Sequence, residues 1–138
     1  MFRVYDCISK KWIKDNVYLT PDDKLFLIKR SSLGWTKLSE LSQDRYVYHK
    51  SIDLQDKNGK EVFEGDIIKA QVDEEKEETG LVVYAQELSS YVILCFGNDN
   101  FYTLGSEVCE YIEIVGNVFE GNKEVVQDGK RTLQESKE

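Results

Sequence analysis

The sequence predicts an all-β protein, a small SH3-like barrel preceded by an N-terminal β-hairpin extension. Three observations predict it. Apolar residues alternate with polar ones at period two along most of the chain, where a helix would repeat every 3.6 residues. Short apolar runs are bounded by turn residues about every 8 to 15 positions, and those runs are rich in Val, Ile, Tyr and Phe, which fit a pleated surface.

Taken in order, Phe2, Val4 and Asp6 alternate with Arg3 and Tyr5, the pattern of a half-buried strand. Trp12, Ile13, Val17, Tyr18 and Leu19 continue the apolar signal past a polar turn at Ser9 to Lys11. Thr20-Pro21-Asp22-Asp23-Lys24 places Pro where a type I turn needs φ near −65°, so Leu25 to Ile28 is the returning strand. Lys29 to Gly34 reads as loop, and Ser39 to Asp44 as one helical turn at most. Phe2, Trp12, Phe26 and Trp35 are too many apolar rings to leave in water, so residues 1–50 are expected to pack as an extension on the barrel.

Arg45 to Ile52 alternates again. Lys57-Asn58-Gly59-Lys60 predicts a two-residue type I′ hairpin, because Asn and Gly best tolerate φ above zero at both central positions. Glu64-Gly65-Asp66 interrupts between Val62-Phe63 and Ile67 to Ala70, where Gly65 suggests a bend at a barrel corner. The run DEEKEE, Asp73 to Glu78, is expected to be a fully solvated loop tip. Gly80 then leads into Leu81 to Tyr84, Tyr91 to Phe96 is a further strand, and Gly97 to Asn100 closes a hairpin onto Phe101 to Leu104. Tyr111 to Phe119 is the last strand, kinked at Gly116. This predicts one domain over residues 1–121, with the extension at 1–50 and the barrel at 51–121, and a polar, disordered tail at 122–138.

Composition narrows the function classes. With 41% hydrophobic and 12% aromatic residues, the 138-residue chain can build a core and is not a disordered one. The longest uncharged apolar stretch, Tyr91 to Gly97, is seven residues against the about 20 that cross a bilayer, so no membrane association is expected. Arg3 and Asp6 interrupt the first apolar segment, which therefore does not read as a signal peptide, and a cytoplasmic location is expected. Cys7, Cys95 and Cys109 are odd in number and form no CxxC pair; with His49 the only histidine, reduced thiols are expected and neither a metal site nor a cofactor. Charge is uneven: residues 1–69 hold 13 Lys/Arg against 11 Asp/Glu, whereas residues 70–138 hold 5 against 15, for a net of −8. That balance disfavours generic nucleic-acid binding.

The stretch DKNGKEVFEGDIIK, Asp56 to Lys69, closely resembles the signature of the YopX family of phage and prophage proteins. The opening FRVYD with KKWI, the GLVVY run after an acidic loop, and EIVGNVFE at Glu113 to Glu120 agree with that family in order and spacing. The chain departs from the family pattern before the turn, where Ser51-Ile52-Asp53 replaces a threonine-glycine-leucine triplet and Tyr48-His49-Lys50 replaces an aromatic-threonine approach. The resemblance implies a small β-rich protein with an SH3-like barrel, encoded by a phage or prophage and acting in the host cell. It brings no catalytic or ligand-binding residues with it, so Asp56, Asn58, Gly59, Glu64, Gly65 and Asp66 are assigned a structural role as the signature turn.

Residue chemistry offers no catalytic constellation. Setting Gly59 as the sixth position of an EF-hand loop leaves Leu54 and Gly65 where carboxylates are required, so the calcium motif fails. Glu64 and Asp66 flank a glycine in a turn and are better placed to bond local backbone amides than to act as an acid/base pair. His49 and Ser51 share a strand face about 7 Å apart, too far for a nucleophile–base hydrogen bond. Lys29, Arg30, Trp35 and Lys37 form a basic, aromatic loop that could stack a base and hold a phosphate; the alternative packs Trp35 inward and leaves the cations solvated. The acidic run at Asp73 to Glu78 could instead imitate a phosphate backbone and occupy a host protein's DNA-binding groove. The resulting expectation is a non-enzymatic accessory protein and protein-interaction module whose partner is a protein or a second copy of itself. The runner-up readings are nucleic-acid association through the basic loop and acidic DNA mimicry.

Overall fold

The computed structural model describes residues 1–14 and 16–122. The protein is all-β, with antiparallel strands curled into a half-barrel and two short 3-10 turns at Gln86–Leu88 and Ser106–Tyr111. The chain divides into two compact units, the first Met1–Lys50 and the second starting at Ser51. The polar tail expected at 122–138 lies outside the described residues beyond Asn122.

The first unit stacks two small sheets. In one, β1 (Phe2–Asp6) lies between β2 (Lys11–Ile13) and the first half of β6 (Tyr46–Gln55). In the other, β4 (Leu25–Arg30) lies between β3 (Val17–Leu19) and β5 (Thr36–Glu40). Alternation puts Val4 of one sheet and Leu25 of the other on facing sides, and these join Leu41 in a core flanked by Phe2, Ile13, Val17, Leu19, Leu27, Tyr46 and Tyr48. One buried acid braces this unit: Asp6 takes a paired fork from Arg45 at 2.8 Å through both oxygens, and also accepts from the Ser9 hydroxyl. The Arg45 guanidinium holds the Asp6 carboxyl well below the usual carboxylate range.

Two sequence expectations fail here. β4 runs on to Arg30, inside the expected loop, and β5 starts beyond that loop and overlaps the expected helical turn at Ser39 and Glu40; Thr36, Lys37, Leu38 and Glu40 are exposed and leave no apolar alternation to read. Trp35 does not join the packed rings; it is 75% exposed.

The second unit is a six-stranded antiparallel sheet in the order β11-β10-β9-β8-β12-β13. Its strands are β8 (Asp66–Gln71), β9 (Glu77–Ala85), β10 (Ser90–Cys95), β11 (Phe101–Thr103), β12 (Ile112–Asn117) and β13 (Gly121–Asn122), preceded by β7 (Glu61–Phe63), which pairs with the second half of β6. The core of this unit gathers Ile52, Val62, Ile68, Ala70, Val82, Ile93, Leu104 and Ile112. Ile67 on the opposite face of β8 is equally buried, with Val115, Leu81 and Phe96 around it. Gly80 sits inside β9 rather than before it: a Cβ there would come within 2.4 Å of the Leu94 carbonyl oxygen, so only glycine lets β10 approach. The kink foreseen at Gly116 is a register shift between Ile114 and Gly116 in the β8–β12 pairing.

Candidate functional site

The signature turn is built around Asp56. The expected type I′ turn is not what forms, because Asn58 does not take a positive φ; Gly59 alone does, at 80°. The Gly59 N–H donates to the Asp56 carbonyl at 3.0 Å and the Asp56 N–H to the Lys60 carbonyl at 2.8 Å. That is a type I turn closed by a left-handed glycine, the three-residue hairpin. The Asp56 carboxylate selects it, accepting from the N–H groups of Asn58 and Lys60 through Oδ1 and of Ile114 through Oδ2, all at 2.9–3.0 Å. Asp56 is buried, so its three donors replace lost water.

The rest of the signature repeats that logic. Asp66 is fully buried and Oδ2 accepts from the Phe63 N–H at 2.8 Å, while the Gly65 N–H donates to Val82 and the Gly65 carbonyl accepts from Val118. In the closing motif, buried Asn117 accepts from the N–H groups of Phe119 and Glu120 and donates to the Glu120 carboxylate at 2.7 Å. Glu64 sits half-buried in the turn beside Asp66. The arrangement holds backbone.

The acidic run at 73–78 departs from expectation at its last residue. Glu78 belongs to β9 and is buried, its carboxylate accepting from Tyr102 Oη at 2.6 Å, Asn98 Nδ2 at 2.8 Å and Asn100 Nδ2 at 3.3 Å. Three donors delivered by the β10–β11 hairpin offset the cost of burying one of six consecutive charges. The Tyr102 bond, then that of Asn98, hold the Glu78 carboxyl down at about 2, and the same contact pushes the Tyr102 phenol up to about 12. Nearby, burial and the Glu78 charge push the Cys95 thiol up to about 11, which removes it as a nucleophile near neutral pH. His49, half-buried in β6, is held at about 4 by burial and by the charge of Arg3 across the strand pair, so it is neutral at physiological pH. Among the described residues no three His, Cys, Asp or Glu side chains gather into a group that could hold a metal, and no helix is long and apolar enough to cross a membrane.

The structure does bring the four basic and aromatic candidates together. Lys29 and Arg30 end β4, Lys37 lies in β5 directly opposite Lys29, and Trp35 closes the turn between them. The turn has the same form as that at Asp56: Gly34 takes φ 91°, its N–H donates to the Ser31 carbonyl, the Ser31 N–H donates to the Trp35 carbonyl, and Ser31 Oγ accepts from the Trp35 N–H at 3.1 Å. All four candidate side chains are exposed. Sequence reasoning missed Leu33, 85% exposed at the tip, and Leu38, 55% exposed on β5. Their signal is present as two leucines flanking the tryptophan, Leu33 inside the expected loop and Leu38 just beyond it, but a lone apolar residue carries no mark of its exposure in sequence. The hairpin end therefore carries three cations and three large apolar side chains in water.

The family model described as YopX protein matches residues 1–124 of the chain. Two solved structures are similar: YopX from Bacillus subtilis, with a TM-score of 0.58, 14% identity and coverage of 86% of this chain and 91% of that one, and protein EF1440 from Enterococcus faecalis, with a TM-score of 0.50, 23% identity and coverage of 86% and 92%. At those identities the likeness is one of fold. No curated protein matches the chain. Residues 1–124 carry the opening strand, the Asp56 turn, the Asp66 bend and the closing Asn117 turn in one match, and the chain belongs to the YopX family.

Proposed function

We propose that this protein is a non-enzymatic protein-interaction module, an accessory protein of a phage or prophage acting in the host cytoplasm, with residues 51–121 as an SH3-like barrel and residues 1–50 as the extension that carries the contact. One observation carries the reading: the β4–β5 hairpin holds Leu33 and Trp35 in water at 85% and 75% exposure beside Lys29, Arg30 and Lys37. Tryptophan and arginine are the side chains most enriched where protein interfaces concentrate their binding energy. A leucine at the tip adds nothing to phosphate binding, and a net charge of −8 opposes it. Affinity capture from host lysate, with and without nuclease, tests this. A specific protein retained after nuclease and lost in a Leu33→Ser/Trp35→Ser variant supports the reading; a capture unaffected by that variant removes the hairpin from it.

A second reading has its own support. Lys29 facing Lys37 beside the exposed Trp35 ring is an arrangement that can stack a base and hold a phosphate. It predicts nucleic-acid binding that weakens steeply with salt and is lost in Lys29→Glu/Arg30→Glu. Salt-independent retention would sink it.

A further inference from the structure

The exposed strand β5 carries backbone groups that the sheet does not use. The Ser31–Trp35 and Leu25–Leu41 pairs at the two ends of the β4–β5 ladder are hydrogen-bonded, from the Ser31 N–H to the Trp35 carbonyl and from the Leu41 N–H to the Leu25 carbonyl. The bonded positions of an antiparallel pair recur every second residue, so Lys37 and Ser39 bond inward to β4. Thr36, Leu38 and Glu40 then point their N–H and C=O groups away from the sheet. β5 ends its sheet, with no strand paired beyond it among the described residues.

This edge differs from the others. The remaining edge strands among the described residues are kept to three residues in β2, β3, β7 and β11 and two in β13. Short edges are one way folds avoid unwanted pairing. β5 runs for five residues in unbroken register, without proline or bulge. Among the described residues it is the longest strand that ends a sheet.

We propose that β5 pairs with β5 of a second copy of this chain, antiparallel about a two-fold axis at Leu38, joining the two three-stranded sheets into one. The proposal rests on the protein-interaction reading above and names its partner. The geometry of the strand fits itself in this register. Leu38 faces Leu38 of the second copy, both pointing outward for bonding, and Thr36 faces Glu40, so about six main-chain hydrogen bonds form. Lys37 falls opposite Ser39 and is kept away from its own copy. On the face shared by Ile28 and Leu38, Arg30 lies beside Thr36 in one chain, and the Glu40 of the other chain lies beyond Thr36, about 10 Å from Arg30 across two strand spacings. Two long side chains span that distance. Within one chain Glu40 lies opposite Phe26, about 13 Å along the strand from Arg30, so these two charges do not reach each other in a single copy. A closed two-fold contact uses the edge once and stops there, which a head-to-tail contact would not.

Sedimentation of the full chain over the micromolar range tests the proposal. The expected result is a mass rising from one chain to two. Leu38→Pro removes the outward N–H at that position, together with an exposed side chain, while leaving the bonds to β4 in place, and weakens association roughly tenfold or more, with the circular dichroism spectrum unchanged. Arg30→Glu weakens it as well, and Arg30→Glu/Glu40→Lys restores it. A single chain at every concentration overturns the proposal, and so does a dimer indifferent to both Leu38→Pro and Arg30→Glu. If Leu38→Pro fails to fold, the charge exchange decides alone: a dimer that Arg30→Glu leaves intact overturns the proposal. A monomer that still captures a host protein defeats self-pairing and leaves the interaction-module reading standing.

Discussion

The turns at Ser31–Trp35 and Asp56–Lys60 are the same piece of backbone put to opposite uses. Each is a three-residue hairpin with a left-handed glycine at its end, Gly34 or Gly59, and in each the first residue's side chain accepts the N–H four positions on. At Asp56 a second oxygen remains, and it takes the Ile114 N–H of another strand. At Ser31 the hydroxyl serves only its own turn, and the tip residues Leu33 and Trp35 stand in water. One extra acceptor separates a turn that is built into a core from a turn that projects. The difference teaches that the local code sets the shape of a hairpin, while its role depends on what the capping side chain has left to offer.

The sharpest way to break the comparison is to remove both caps. Asp56→Ala is expected to destabilise the second unit by about 2–3 kcal/mol, since three amides lose a charged acceptor, whereas Ser31→Ala costs about 0.5 kcal/mol at an exposed site. Urea unfolding of the two variants measures the gap, and equal losses would show that the Ile114 bond does no anchoring. Next come the glycines. Gly34→Ala and Gly59→Ala each force an L side chain into left-handed backbone with open space around the Cβ, so both are expected to cost the same, about 1 kcal/mol. A much larger loss at Gly59 would mean that the anchored turn resists local relaxation.

Acid separates the two regions in another way. The projecting turn has no carboxylate, but the β10–β11 hairpin of the second unit is tied to Glu78, whose value of about 2 lies below its ordinary 4.5. Its stabilisation is therefore complete above about pH 4.5 and is lost as pH falls toward 2. Glu78→Gln is expected to flatten the fall in stability across that window, as read by acid titration of the far-ultraviolet circular dichroism. The smallest effect belongs to the exposed tip. Leu33→Ser/Trp35→Ser is expected to change stability by no more than about 0.5 kcal/mol, because neither side chain is buried. A larger loss would place these residues in the fold rather than at its surface.

What was legible in the sequence follows from the same contrast. Strands that meet a core announce themselves: Phe2 and Val4 in β1 show as alternation, and Val92 and Ile93, buried on both faces of β10, show as a β-branched run. The positions of the Asp56 and Gly65 turns were legible because glycine marks them. The type of the Asp56 turn was not, because it is set by a side chain whose third donor lies 58 residues away. Glu78 was hidden for the same reason, its donors Asn98, Asn100 and Tyr102 being 20 to 24 residues downstream. Strand β5 was hidden for a different one. Neither of its faces meets a core, so hydrophobic pattern is silent where only main-chain bonding makes a strand. The candidate site was half legible, as cations and a ring close in sequence, but the leucines that flank them declared themselves only once the hairpin was folded.

The Asp56–Ile114 bond also orders events in time. A hairpin closes in microseconds, so the 56–60 turn can form as soon as its residues leave the ribosome. Its last donor is another 58 residues down the chain, which at about 5–20 residues per second arrives roughly 3–12 s later. During those seconds the nascent turn holds an ionisable acid that water must satisfy, and the sheet that will bury it is unfinished. The residues that most define this family's signature therefore complete their work only when β12 is delivered.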